Sequence, residues 1–306
     1  MLTWFREHGS EFQGELRFSE SLAPFTYYKI GGPADLVALP KSVQDLEWLS
    51  RGIEEAKVPY FVMGAGSNLL VADVGFRGVV IRSARLNGSV EMKSPGILEV
   101  GSSVLVASLL RRCSTEGWGG LEFLTGVPGS IGGVVVMNAG THLGEACDRI
   151  SEVEVFVFSG KERGLKNFSG DELKFSYRKN NFLPAGSIVL KTKWLVDSGR
   201  PDQVRAKIDE LLARRKSSQP VDQPSCGSVF KNPKESGLHA WQVIEKVGLR
   251  GHRIGGAEFS PKHSNFIVNL GNAKASDVRG LIDLAKEKAK AELGITLEEE
   301  VKYLGF

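Results

Sequence analysis

The chain reads as an α+β protein of more than one domain, and three observations lead there. Apolar residues alternate with period two along 152–157 and 188–196, the mark of half-buried strands. Apolar residues fall at helical spacing along 42–58, 105–113, 204–212 and 276–293. Glycine, 36 of 306 residues, gathers at the ends of short apolar runs rather than spreading as low complexity. This mixture fits α+β better than a parallel doubly wound sheet. The length exceeds the ~250 to 300 residues at which a single core stops growing, so two or three domains sharing a cleft are expected.

The first unit opens at Ser42, an N-cap with Asp45 three residues on, and runs through Val43, Leu46, Leu49 and Ile53 to Pro59. A strand Tyr60–Met63 follows and ends in GAGSN at 64–68; the apolar runs 69–71 and 78–81 read as a second strand pair. A helix with Leu105, Leu109, Leu110 and Cys113 closes at Gly117. The stretch TGVPGSIGGVVVMNAG at 125–140 then reads as a loop, because each glycine inside a helix costs ~1 kcal/mol against alanine. Val153, Val155 and Val157 form one strand, Ser159-Gly160 a reversal, and Ile188, Leu190, Thr192, Trp194 and Val196 another.

A boundary is expected at 197–201, dividing the chain into 1–82, 83–198 and 199–306. Beyond it lie a helix with Val204, Ile208, Leu211 and Leu212, a break at 217–227, a short strand at 228–231, a helix at 238–247 and a strand at 266–269. A helix at 276–293 ends at Gly294, and 295–304 returns as a final strand. The charges Lys286, Glu287, Lys288, Lys290 and Glu292 read as the solvated face of that helix.

Composition excludes several classes. With 39 basic against 36 acidic side chains the formal charge is only +3, so nothing calls for nucleic acid or membrane, while a few cations focused in a cleft still suit an anionic small molecule. Cys113, Cys147 and Cys226 are odd in number and widely spaced, which suggests reduced thiols in a cytosol rather than disulfides or a zinc site. No apolar segment approaches a signal or membrane span, so a cytoplasmic protein is expected. His239, His252 and His263 lack metal spacing, and HExxH, GxSxG and Walker A patterns are missing.

Three segments remain that could carry chemistry. GAGSN at 64–68 follows a strand but lacks the third glycine of a dinucleotide fingerprint, and Asp73 comes too soon to be its ribose carboxylate. It is either a structural turn or a nest of backbone N–H groups for a pyrophosphate, with Ser67 and Asn68 beside it. Gly126, Gly129, Gly132, Gly133 and Gly140, interleaved with Pro128, Ser130 and Asn138, suit a loop against a flat or charged ligand, and the two glycine-dense segments together suggest one large cofactor. SCGSVFKNP at 225–233 reads locally as a turn into a strand, with Ser228 as a cap and Lys231 at the surface. Tyr177-Arg178-Lys179 reads as an exposed strand and Glu298-Glu299-Glu300 as an acidic edge.

The order of these motifs resembles one family. TYYKIGGPAD at 26–35, GAGSNLL at 64–70, GVPGSIGG at 126–133 followed by MNAG, Tyr177-Arg178, GSVFKNP at 227–233 and LEEEVKYLG at 297–305 are similar to the UDP-N-acetylenolpyruvoylglucosamine reductases over 26–305. The resemblance implies an FAD-binding domain of the vanillyl-alcohol-oxidase type followed by a substrate-binding domain whose last strand returns to the active site. It implies noncovalent FAD held by Gly64, Ala65, Gly66, Ser67, Asn68, Gly126, Gly129, Ser130, Gly132, Gly133, Asn138 and Gly140. NADPH is the implied cosubstrate, and the enolpyruvyl ether of UDP-N-acetylglucosamine is reduced to UDP-N-acetylmuramate. Ser228 is the implied proton donor, with Arg178 and Glu300 as its partners; Tyr177, Gln219, Lys231 and Asn232 are the candidate substrate contacts. No metal is implied, and family members of this size are often monomeric.

The chain departs from the family where Asn180 stands near a position that is serine in many relatives, and it has the length of the shorter subclass that lacks a tyrosine-bearing substrate loop. Another flavoprotein oxidase of the same fold is the alternative enzyme, and residues 60–75 offer no histidine or cysteine for a covalent flavin. A nucleotide-binding regulator that has lost catalysis is the alternative from another class.

Overall fold

A computed structural model of the chain describes residues 2–233 and 236–306. Contacts divide it into two compact units, both discontinuous in sequence: 1–19, 35–65 and 78–213 form the first, and 20–34, 66–77 and 214–306 the second.

The first unit holds five helices, α1 (Thr3–Glu7), α2 (Val43–Ala56), α3 (Val106–Glu116), α4 (Ile131–Met137) and most of α5 (Pro201–Ser218). Ser42 caps α2 as its position predicts, its Oγ accepting from Asp45 N at 3.2 Å. The Asp45 carboxylate is not idle: it accepts from Gln13 N at 2.9 Å and Lys41 N at 2.8 Å, which is why a carboxylate can be buried there. Four strands, in the order 15–21, 33–39, 76–82 and 60–63, share a core with α1 and α2 built on Trp48, Phe5 and Phe12. A second, five-stranded sheet runs 164–169, 150–157, 188–195, 97–101 and 90–94, all antiparallel, and buries Val153, Val155 and Trp194 against α3, α4 and α5. The alternation read from the sequence in 152–157 is thus one face of this sheet, and the Ser159-Gly160 reversal joins strand 150–157 to its edge neighbour 164–169.

In the second unit, a three-stranded antiparallel sheet (253–254, 257–259, 267–269) and the helices α6 (Ala240–Lys246) and α7 (Ala275–Leu293) enclose Phe259, Ile267, Val278 and Ile282. Asp73 reaches the start of α7, its carboxylate accepting from Ala275 N at 2.7 Å and Ser276 N at 3.1 Å. Gly294 ends α7 in the left-handed conformation, φ 69°.

Several sequence expectations change. Runs 69–71 and 76–82 are not partners: Leu69–Val71 lies parallel to Lys302–Leu304, and 76–82 lies parallel to Tyr60–Met63. A short apolar run marks a strand but carries no address for its partner. The stretch 125–140 is not loop throughout, since 131–137 is helix α4 despite Gly132 and Gly133. The reason is close packing: a Cβ at Gly132 would stand 3.2 Å from Ser102 Cβ, and Gly132 N donates to Ser102 O at 3.0 Å. The expected strands at 228–231 and 295–304 shrink to isolated pairings of Ser228 with Phe266 and Phe230 with Glu299, plus the strand 302–304.

Candidate active site

In the first unit the two glycine-dense segments meet. A Cβ at Gly64 would stand 2.8 Å from Ser130 Oγ and 3.9 Å from Gly133 N, so the end of strand 60–63 lies against the start of α4 with no side chain between them. Ser130 is the N-cap residue of α4, yet its hydroxyl makes no capping bond and is buried without a partner among the described residues; Ser102 Oγ, whose residue packs on Gly132, and Thr125 Oγ1 of the same unit are in the same condition. Gly126 and Gly129 hold positive φ, 75° and 123°, which only glycine adopts without strain. Buried hydroxyls without partners beside bare backbone are the expected lining of a site that a polar ligand completes.

Asn138 and Gly140 are held by contacts within the protein. Asn138 ends α4 at φ 42°, and its amide is committed to protein: Nδ2 donates to Glu145 Oε2 at 2.9 Å and Ser176 O at 3.2 Å, while Oδ1 accepts from Cys147 N at 3.0 Å. Tyr177 and Arg178 are not an exposed strand but the two-residue turn between 175–176 and 179–180. Arg178 takes φ 56°, a conformation that costs a Cβ-bearing residue ~1 to 2 kcal/mol. Its guanidinium, 15% exposed, offsets that cost by donating to Glu145 Oε1 at 3.2 Å and Gly140 O at 3.2 Å, and it lies 4.8 Å over the Tyr177 ring. Asn180 anchors the hairpin to α4, Nδ2 donating to Val136 O at 2.7 Å. Glu145, which fixes both Arg178 and Asn138, was not singled out from the sequence; only the local Glu145-x-x-Asp148 capping box marks it, and nothing local links it to Arg178.

In the second unit the carboxyl-terminal segment runs antiparallel beside 228–231. Glu300 N donates to Val229 O at 2.8 Å and Lys231 N to Glu298 O at 2.9 Å, which sets Ser228 and Glu300 on adjacent segments. Asn265 secures the other side: Phe230 N donates to its Oδ1 at 3.0 Å and its Nδ2 donates to Phe230 O at 2.8 Å. Cys226, fully buried two residues before Ser228, has its thiol pushed up to about 12 by burial, with Glu300 adding to the rise; it is not a nucleophile at neutral pH. Among the substrate candidates, Lys231 pairs with Glu298, and Asn232 Oδ1 accepts from Ala240 N at 3.0 Å at the start of α6. Gly66 O accepts from Tyr27 N at 3.0 Å. Arg178 belongs to the first unit; Ser228, Glu300, Lys231, Asn232 and Gln219 belong to the second.

Two family models match separate stretches of the chain. A family model described as an FAD binding domain matches residues 34–164, and one described as the UDP-N-acetylenolpyruvoylglucosamine reductase C-terminal domain matches 219–304. The UDP-N-acetylenolpyruvoylglucosamine reductase of Caulobacter vibrioides is 40% identical over 295 residues, 96% of each chain. That of Moorella thermoacetica is 42% identical over 287 residues, 94% of this chain and 92% of its own. This chain belongs to the UDP-N-acetylenolpyruvoylglucosamine reductase family. The crystal structure of the UDP-N-acetylenolpyruvylglucosamine reductase from Thermus caldophilus agrees in fold, with TM-score 0.79, 35% identity and coverage of 95% of this chain and 99% of that one.

Family membership bears out the motif resemblance, the α+β class and FAD as cofactor. Both glycine-dense segments lie within the matched FAD binding domain, and the unpartnered Ser130 hydroxyl between Gly64 and Gly133 fits a pyrophosphate-bearing cofactor. Among the described residues no group of histidine, cysteine, aspartate or glutamate could hold a metal, and no helix is long and apolar enough to cross a membrane.

Proposed function

We propose that this member of the reductase family reduces UDP-N-acetylglucosamine enolpyruvate to UDP-N-acetylmuramate with NADPH, in peptidoglycan precursor synthesis. The observation that carries the reading is 40% to 42% identity, over 96% and 94% of this chain, to named reductases of that substrate, together with a C-terminal-domain match that contains both Ser228 and Glu300. When bound, FAD supplies the two-electron relay between the nicotinamide and the enolpyruvyl double bond.

The protein's part is charge and proton placement. Hydride addition to a double bond conjugated with a carboxylate drives negative charge toward that carboxylate, so a fixed cation there stabilises the transition state more than the ground state. Arg178 has that role in this reading, and Glu145 and the Gly140 carbonyl are what hold it still. The carbon next to the carboxylate then takes a proton from Ser228, whose hydroxyl is acidic enough for a carbanion within hydrogen-bond reach. Glu300 is its partner, supported by the backbone pairing that ties residue 300 to residue 229. Gly64, Ala65, Gly66, Ser67, Asn68, Gly126, Gly129, Ser130, Gly132, Gly133, Asn138 and Gly140 line the cofactor; Tyr177, Lys231, Asn232 and Gln219 serve the substrate. Lys231 would leave Glu298 for a phosphate. A cytoplasmic monomer, with FAD-binding parts at 1–82 and 83–198 and a substrate part at 199–306, belongs to the same reading.

The test is direct. Purified protein with bound flavin is mixed with NADPH and UDP-N-acetylglucosamine enolpyruvate, and NADPH loss is compared with UDP-N-acetylmuramate formed. Equal amounts are expected; NADPH oxidation without the muramate product would overturn the assignment.

A further inference from the structure

Helix α4 joins two parts of the first unit. At its start Ser130 and Gly133 meet Gly64, where the two glycine-dense segments converge. At its end the hairpin that bears Arg178 is fastened in three places: Asn180 Nδ2 donates to Val136 O at 2.7 Å, Asn138 Nδ2 to Ser176 O at 3.2 Å, and Arg178 Nη2 to Gly140 O at 3.2 Å. Seven helical residues span only about 10 Å. The hairpin has strands of two residues each, too short to hold a shape unaided. Arg178 is therefore placed relative to the glycine-dense segments by the last turn of α4 and the residues just after it.

Glu145 closes this arrangement. Residues 144–145 pair with 140–141, which sets Glu145 opposite Gly140. Three donors converge on its carboxylate: Asn138 Nδ2 reaches Oε2 at 2.9 Å, Arg178 Nη1 reaches Oε1 at 3.2 Å, and the backbone N–H of Asp148 is the third. Every hydrogen-bond partner of the carboxylate among the described residues is thus a donor. A carboxylate accepts at both oxygens, whereas a glutamine amide, whichever way it is turned, sets an NH2 group against one of these donors. Aspartate keeps both oxygens and falls one methylene short. A brace needed only for folding could equally be apolar, since well-packed hydrophobic groups replace such pairs without loss. Arg178 also sits at φ 56°, and a residue in that region stays there only while its surroundings hold it.

We propose that Glu145 is a positioning residue for the second half-reaction: its carboxylate keeps the Arg178 guanidinium in register with α4, so that the cation stands where charge develops on the substrate carboxylate. The inference rests on the reductase reading, which supplies that role for Arg178. Glu145 touches neither substrate nor flavin in this scheme and acts only through Arg178. A displacement of about 1 Å at a charge-stabilising group costs on the order of 10² in rate. The two half-reactions differ in their need for it. Hydride transfer to the conjugated double bond drives charge onto a carboxylate, whereas hydride transfer from nicotinamide to flavin does not.

Two measurements on the flavin-loaded protein test it, each with wild type, Glu145→Gln and Glu145→Asp. Stopped-flow flavin absorbance follows the half-reactions separately at saturating ligand. In Glu145→Gln, reoxidation by the enolpyruvyl substrate slows about ten- to a hundred-fold, while reduction by NADPH stays within about three-fold of wild type. Glu145→Asp, which keeps the charge and both acceptors, recovers part of the loss. The second measurement is modification of Arg178 by phenylglyoxal, read by peptide mass spectrometry. Arg178 reacts slowly in wild type, where it is largely buried and bonded to Glu145 and Gly140, and several-fold faster in Glu145→Gln. Labelling of Arg178 at the wild-type rate overturns the proposal, as does reoxidation within two-fold of wild type or equal slowing of both half-reactions. Where Glu145→Gln does not fold, Glu145→Asp decides by the same criteria. The labelling needs no turnover. Faster labelling in Glu145→Gln, in a protein whose wild type makes no muramate, would therefore overturn the function and leave the hold of Glu145 on Arg178. Unchanged labelling in an active enzyme would overturn the inference alone.

Discussion

Asn68 Nδ2 donates to the main-chain oxygen of Glu300 at 3.0 Å, and Lys302 N donates back to Asn68 O at 3.0 Å. The last residue of GAGSN, expected to face the cofactor, therefore holds the backbone of the proposed catalytic glutamate. Asn68→Asp keeps the size and loses the donor. It should lower kcat for the enolpyruvyl substrate about ten-fold, in line with one lost hydrogen bond, while flavin absorbance per protein stays near wild type. Flavin loss as large as the kcat loss would return Asn68 to the cofactor.

Ser228→Ala should separate the two half-reactions. Reduction by NADPH needs no proton from residue 228, whereas a positioned acid typically contributes ~10² to 10⁴ to a step like reoxidation by substrate. Stopped-flow flavin absorbance, read in each half-reaction at saturating ligand, should show the loss only in the second. Equal slowing of both would make Ser228 a general positioning residue.

The three adjacent glutamates have separate fates. Leu297, Glu299 and Val301 face inward, and the Glu299 carboxylate, 15% exposed, lies 2.7 Å from Lys286 Nζ and 3.9 Å from Arg279 Nη1 on α7. A substitution at 299 is therefore not silent. Glu299→Ala should cost about 1 to 3 kcal/mol in stability, below the cost of breaking a fully buried pair, and should lower the urea midpoint. Glu298, 72% exposed, should be near neutral as Gln. Glu300→Gln should slow turnover far more than Glu298→Gln at unchanged stability; equal effects at 298 and 300 would leave the role of Glu300 unsupported.

Ser130→Ala tests the cofactor cradle without adding bulk. A hydroxyl that lacks a protein partner contributes nothing to the flavin-free fold, so flavin-free stability should hold or rise while FAD affinity falls about five- to ten-fold. Fluorescence titration of flavin-free protein with FAD measures it. Gly132→Val is a poorer probe, since its side chain would press on Ser102 before it met any ligand.

The His263 ring predicts a pH dependence. Burial lowers its folded pKa below the unfolded 6.5, against Glu245, which raises it, while Arg215 and Arg250 lower it further. The unfolded state then binds more protons between the two values, so the contribution is complete above about pH 6.5 and is lost as pH falls through that window. Thermal melts between about pH 7.5 and 5 should show a shallower decline in His263→Gln than in wild type; parallel curves would remove His263 as a contributor.

Much of the local structure was legible because its causes are local. The Ser42 cap, the Gly117 and Gly294 stops, and the alternation in 152–157 and 188–196 depend on residues within a turn or a strand of each other. The family was legible because its motifs carry order as well as composition. Hidden from the sequence were relations between residues far apart along it. Strand 69–71 pairs with 302–304, Arg178 is fixed by Glu145, Asp73 caps α7, and Glu299 turns inward to Lys286.

The sequence by itself determined the α+β class, the caps and stops of α2, α3 and α7, and the two glycine-rich segments, since propensity, periodicity and backbone freedom are properties of neighbouring residues. Tertiary structure alone decided that 131–137 is a helix, that Tyr177-Arg178 is a turn with a strained arginine, and that the Nε of Arg215 is shut off from solvent with no partner among the described residues. The physical reason is the same in each case. Close packing offset the glycine cost in α4, an ion pair across 33 residues offset the strain at Arg178, and desolvation at residue 215 depends on what the rest of the second unit places around it.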